Sequence, residues 1–238
     1  MFPIKDDVQA RSFPFVTIGL IFINTVIFFF EIKLSEEELK MLFSGLGIIP
    51  ARYFADLPGG SPLKPEYIRL FTSMFLHGGW FHIIGNMWYL WIFGDNVEDR
   101  MGHGRFLIFY LLCGVGAGLT HIYLNPASTV PTIGASGAIS GVMGAYFMLY
   151  PRARVLTLIP IFFFIEFIEV PAFFYLGIWA LMQFFQGTVS FIAPEAAGGV
   201  AVWAHFGGFV IGMFLVFFFR KPKRAYRYYS YPDEYFPF

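Results

Sequence analysis

Charge is what this chain has least of. Only 13% of its 238 residues are Asp, Glu, Lys or Arg, where an ordinary soluble domain is nearer a quarter charged. Residues 106–150 contain none of the four, and residues 171–219 contain only Glu195. Cysteine is almost absent. Cys113 stands alone, which excludes an intramolecular disulfide and suits a small apolar packing residue. The formal net charge is zero, so no bulk attraction to nucleic acid or acidic lipid follows, and no nucleic-acid partner is expected. The metalloprotease pattern His-Glu-x-x-His is missing. His103 and His121 share no helical face with a second candidate ligand, so neither a metal nor a cofactor is expected. No internal repeat is found, unlike the paired halves common in transporters. Asp95 and Asp99 lie together at one end of one apolar stretch, so no aspartyl pair is set within two spans.

What is there is apolar bulk. Hydrophobic residues make up 57% of the chain, with 33 phenylalanines. Stretches of about 20 apolar residues cross the hydrocarbon core as helices, because backbone groups in lipid must be satisfied within the segment. Six spans are expected at 13–32, 79–97, 104–124, 133–150, 171–192 and 200–219. The fold class is therefore an all-α polytopic membrane protein, a bundle of six transmembrane helices. The first stretch follows Lys5, Asp6, Asp7 and Arg11, is long and lacks a small-residue cleavage site, so it reads as a retained span. The division expected is a short cytoplasmic N-terminus over 1–12, a six-helix domain over 13–219 with a long first loop at 33–78, and a cytoplasmic tail over 220–238.

Basic residues set the orientation. Arg100 and Arg105, then Arg152 and Arg154, then Arg220, Lys221, Lys223, Arg224 and Arg227 all fall on one side. The opposite loops, 125–132 and 193–199, have no Lys or Arg. The positive-inside rule puts both termini in the cytoplasm, so the chain is expected to be multi-pass in the plasma membrane; the long, partly acidic first loop is the kind that obeys the rule poorly. That loop reads as a partly structured interfacial or re-entrant lobe, with aromatic-rich pieces at 51–54 and 67–75 around the turn cluster Pro58-Gly-Gly-Ser-Pro62. Residues 155–170 are apolar with Glu166 and Glu169, and are expected to lie along the cytoplasmic interface.

Polar residues within spans are rare and usually functional. The second span holds His82-Ile-Ile-Gly-Asn86, with His82 and Asn86 on one helical face four residues apart. The fourth opens with Gly134-Ala135-Ser136-Gly137-Ala-Ile-Ser140-Gly141, where glycines leave the Ser136 hydroxyl accessible and Gly137 with Gly141 suits tight helix packing. The sixth holds Ala204-His205-Phe-Gly-Gly208, and His205, Gly208 and Gly212 share one face. Each of these, taken singly, has a packing explanation. Depth links them. Spans two, four and six start from the same side, with Asn86 about seven residues in, Ser136 about three and His205 about five. At ~1.5 Å per residue they lie within roughly 6 Å of one level, where a nucleophile, a base and an oxyanion donor could meet.

These three motifs, in this order and at these spacings, resemble the rhomboid intramembrane serine proteases. The stretches from Arg69 to His77 and from Asp95 to Gly102 are similar to the family too. The resemblance implies a six-helix core with a water-filled cavity. Ser136 would be the nucleophile and His205 its general base, as a dyad with no carboxylate. His82, Asn86 and the Ser136 N–H would form the oxyanion hole, and Gly134, Ala135, Gly137 and Ser140 would line the substrate cavity. Transmembrane proteins would be the substrates and the bilayer the medium. An inactive member that binds membrane clients is the alternative the same resemblance allows. The chain departs from the family at Ile68, where many members have Trp, and at Ser140, where some carry an aromatic that packs on the histidine. Ser140 cannot stack, so the residue that orients His205 is unassigned.

Overall fold

The computed structural model describes residues 2–54, 66–161, 164–192 and 201–222. Among them, six long helices fall on the six expected spans: α1 (Phe15–Glu31), α5 (Trp80–Met101), α6 (His103–Leu124), α7 (Ser136–Leu149), α8 (Ala172–Ile192) and α9 (Val202–Phe219). By length and composition α6, α8 and α9 can each cross a bilayer, while α1 and α7 are apolar but shorter. The end of α5 carries Asp95, Glu98, Asp99 and Arg100, which lowers its hydropathy.

The described parts of the first loop are structured, as its aromatic pieces suggested. It forms α2 (Glu36–Leu46), α3 (Pro50–Phe54), α4 (Glu66–Thr72) and a 3-10 turn at Ser73–Phe75. Helix α2 opens on a capping box: the Ser35 hydroxyl accepts the Glu38 N–H at 3.4 Å and the Glu38 carboxylate accepts the Ser35 N–H at 2.8 Å, so donors left over at the helix start are used locally. The lobe is pinned to the bundle by a backbone bridge between Ile48 and Thr132. The turn cluster at 58–62, the loop at 193–199 and nearly all of the tail lie outside the described residues.

One element departs from an all-helical plan. Residues 155–170 form an antiparallel hairpin, β2 (Arg154–Ile161) with β3 (Phe164–Pro171), and β1 (Phe2–Asp6) pairs with β2 to complete a sheet of order β1-β2-β3. The run is dense in β-branched and aromatic residues, which fit a pleated surface. It lies at the end of α7 and the start of α8, outside the spans, where strand pairing can satisfy its backbone.

The centre of the bundle is set by small residues. A Cβ on Gly208 would overlap the Gly137 carbonyl oxygen, and one on Gly212 would overlap that of Gly141. A Cβ on Gly144 would overlap the backbone of Phe209. Helices α7 and α9 therefore touch backbone to backbone, the close approach that small residues allow in membranes. Helix α6 closes on the same seam, where a Cβ on Gly137 would stand 2.7 Å from that of Ala117. Tyr110, Tyr146, Phe93, Phe106 and Phe109 fill the remaining core and are fully buried.

Candidate active site

The glycine seam fixes the site. Ser136 is the first residue of α7 and His205 lies one turn into α9. With the two backbones in contact at Gly137 and Gly208, the side chains just above must meet. His205 Nε2 lies 2.7 Å from Ser136 Oγ. The two residues, 69 apart in sequence, open into a cavity of about 550 Å³ whose walls include His82, Asn86, Ser140, Trp179, Gln183 and Gln186.

Asn86 comes from α5 and is 8% exposed, and its Nδ2 has no hydrogen-bond partner among the described residues. A buried amide donor without a protein acceptor is costly, and the space open to Asn86 is the cavity. His82 Nδ1 accepts the Gly78 N–H at 3.3 Å, so in the neutral ring the hydrogen sits on Nε2. That nitrogen turns toward Gly134. A Cβ at Gly134 would stand 2.6 Å from His82 Nε2 and 3.7 Å from Asn86 Nδ2. Gly134 also has φ of 125°, a left-handed value that glycine takes readily. Its N–H donates to the Ser73 carbonyl at 2.8 Å. Thus both conformation and space demand glycine where the chain enters α7. The N–H groups of the first turn of α7 lack intrahelical acceptors by position, and Ser136, which lines the cavity, is the first residue of that turn.

The other expected lining residues divide. Ser140 faces the cavity, but its hydroxyl donates to the Ser136 carbonyl at 2.6 Å. Gly134 and Gly137 border a separate void of about 30 Å³ behind Ser136. Ala135 lines neither space and is fully buried in the core. His121 is drawn away from the cavity by Thr132, whose hydroxyl lies 2.9 Å from His121 Nε2.

Two contributions escaped the sequence reading. Gln183 on α8 places its side-chain oxygen 2.8 Å from His205 Nδ1, and Trp179, one turn earlier, holds its ring 6.3 Å from the imidazole at 34°. A glutamine in the middle of the fifth apolar stretch carries the same signal as Asn86, a polar group within a span. Glu31 at the end of α1 is the second. Its carboxylate oxygens accept the His77 N–H at 3.2 and 3.3 Å, and the His77 ring packs on His82 at 5.1 Å. This anchors the turn that positions His82.

The fold and cavity together define an integral, multi-span membrane protein with a chamber among its helices that is lined by both apolar and polar side chains. Residues 64–222 match the rhomboid domain, well over half of the chain, and the protein belongs to the rhomboid family. It is similar to Rhomboid-like protein 11, chloroplastic, of Arabidopsis thaliana, at 32% identity over 46% of this chain and 41% of that protein. It is similar also to Rhomboid protein 1, mitochondrial, of Saccharomyces cerevisiae, at 27% identity over 67% of this chain and 44% of that one. With Rhomboid protease GluP of Bacillus subtilis it shares 41% identity over 34% of this chain and 15% of the other. The matched regions span less than half the length of these relatives.

Proposed function

We propose that the chain is an intramembrane serine endopeptidase that cleaves transmembrane segments with a dyad of Ser136 and His205. The observation that carries this is the 2.7 Å approach of His205 Nε2 to Ser136 Oγ at the wall of a cavity that also presents the unpaired Asn86 amide. Rhomboids are generally intramembrane serine proteases, and one relative is named a rhomboid protease.

The chemistry follows from the atoms. Ser136 Oγ attacks the scissile carbonyl carbon as His205 Nε2 takes its proton. The carbonyl oxygen becomes an oxyanion facing Asn86 Nδ2, His82 Nε2–H and the Ser136 N–H. Donors fixed before the charge develops are worth about 2.7–4 kcal/mol each when lost. His205 then gives the proton to the leaving amine, the C–N bond breaks, and an ester on Ser136 remains. Water enters, His205 takes its proton, and the ester is hydrolysed to free Ser136. The substrate is a membrane protein whose helix opens near one end, since a peptide group in an intact helix is hydrogen-bonded and shielded. The same reading has both termini in the cytoplasm, on the side where the basic loops gather, and the protein in the plasma membrane. The division into a short N-terminus over 1–12, a catalytic unit over 13–219 and a tail over 220–238 belongs to the same reading.

The test is cleavage of a model transmembrane substrate by the purified protein, with Ser136→Ala and His205→Ala alongside. Both variants are expected to lose more than about a thousandfold in rate, and Ser136 should label with a fluorophosphonate. Full cleavage by either variant would sink the proposal. No labelling of Ser136, together with no cleavage of any membrane substrate, would favour a client-binding member instead.

A further inference from the structure

A base in a serine–histidine pair needs its far nitrogen held, and Ser140 does not hold it. The Ser140 hydroxyl is committed to the Ser136 carbonyl. What meets His205 comes from α8. Gln183 Oε1 lies 2.8 Å from His205 Nδ1, and Gln183 is 9% exposed. An amide oxygen only accepts, so this contact puts the hydrogen on Nδ1 and leaves the Nε2 lone pair for the Ser136 hydroxyl. With the amide turned the other way, its NH₂ would donate to Nδ1, and Nε2–H would point at Ser136, so the ring could not take the serine proton. The orientation with Oε1 inward is the one that makes His205 a base.

We infer that Gln183 is the positioning residue for His205, fixing its tautomer and the aim of its Nε2. The inference rests on the serine-protease reading and adds a third member, supplied by a different helix, to what the sequence offers as a pair. Its role parallels the orienting group of other nucleophile–histidine sites, which directs the ring without taking a proton. When His205 accepts the Ser136 proton, its Nδ1–H stays bonded to the amide oxygen, and that bond strengthens as the ring becomes charged. Trp179 limits the ring's swing from the same face of α8. His82 on α5 and His121 on α6 are the titratable groups that act on His205 electrostatically. No carboxylate among the described residues bonds to it. The aim of the base therefore depends on α8 being seated against α9, a contact made by Phe184 on Trp203 and Phe206.

Two substitutions separate this from a packing role. Gln183→Leu keeps the bulk and removes the acceptor. It is expected to lower kcat by roughly ten- to hundredfold, the loss of one hydrogen bond to a group that becomes charged, with KM and Tm near wild type. Gln183→Glu restores an acceptor. It is expected to recover much of kcat and to move the acid limb of kcat/KM up by about one pH unit or more, because a carboxylate beside the imidazolium favours the protonated base. In protein labelled with ¹⁵N at histidine, with His205 assigned by its loss in His205→Ala, the wild type should show the Nδ1–H tautomer and Gln183→Leu a mixture. A wild-type kcat or an unchanged tautomer in Gln183→Leu overturns the inference. If the wild type fails to cleave, or Ser136→Ala still cleaves, the protease reading falls, and the tautomer spectrum still decides the part played by Gln183.

Discussion

At the end of the bundle away from the cavity, Glu98 of α5 is completely buried and its carboxylate is fully used. It accepts the N–H groups of Val16 and Thr17 at 2.9 and 2.8 Å, the Thr17 hydroxyl at 2.7 Å, and meets His103 Nδ1 at 2.6 Å. Asp6 there takes hydrogen bonds from Tyr146 and from Asn96, and Asp99 takes two from Ser12. At the cavity end, on the same helix α5, Asn86 is almost as buried and its Nδ2 has no partner among the described residues. One helix thus carries two kinds of buried polarity. Saturated groups tie elements together: Glu98 supplies acceptors for the orphan donors at the start of α1 and a negative charge at its positive end. Unsaturated groups facing a cavity leave capacity for a visitor. The difference lies in the partner count, since both sets are buried and polar.

That contrast can be broken by substitution. Glu98→Ala should cost about 3–5 kcal/mol of stability, because several charge-assisted bonds vanish and buried donors are orphaned. Cleavage per folded molecule should stay near wild type. Thermal unfolding in detergent, read beside a rate corrected for the folded fraction, checks this. Unchanged stability would erase the contrast. Asn86→Ala should do the reverse, lowering kcat by about 10²–10³-fold with little change in Tm. A large drop in Tm with kcat preserved would make Asn86 a structural group like Glu98. Gly208→Ala probes the seam that joins the two ends. The added methyl meets the Gly137 carbonyl, so a loss of about 1–3 kcal/mol is expected, together with slower cleavage as Ser136 and His205 separate; a silent variant would show that the seam has slack.

The smallest effect is pH-dependent. Burial pushes the Asp6 carboxyl up to about 6, partly offset by the Tyr146 hydroxyl that donates to it, with Asp7 nearby adding a small upward push. In the unfolded chain the group titrates near 4. The folded state therefore holds the proton to higher pH. Its stabilising contribution is full below about pH 4 and fades as pH rises through about 6. Tm should fall modestly across that window, and Asp6→Asn should flatten the profile. A Tm that climbs between pH 4 and 6 in the wild type alone would reverse the sign.

Much of this was legible from residues alone, and the reasons are local. The long apolar runs set where the helices lie, because lipid leaves the backbone no other partner. Gly137, Gly141, Gly208 and Gly212 announced a close contact, since small residues at helical spacing mark where backbones approach. Depth along the spans put Ser136, His205, His82 and Asn86 at one level, because rise per residue is constant. Other features needed the tertiary structure. Residues 155–170 pair as strands with a segment some 150 positions away, and nothing local names that partner. Helix α8 marks a polar side with Gln183 and Gln186, but nothing local names the side chain they meet; only packing turned Gln183 and Trp179 onto His205. The pair proposed to perform the chemistry was thus encoded in spacing and composition. What its histidine meets on the far side was decided by how one largely apolar helix settles against another.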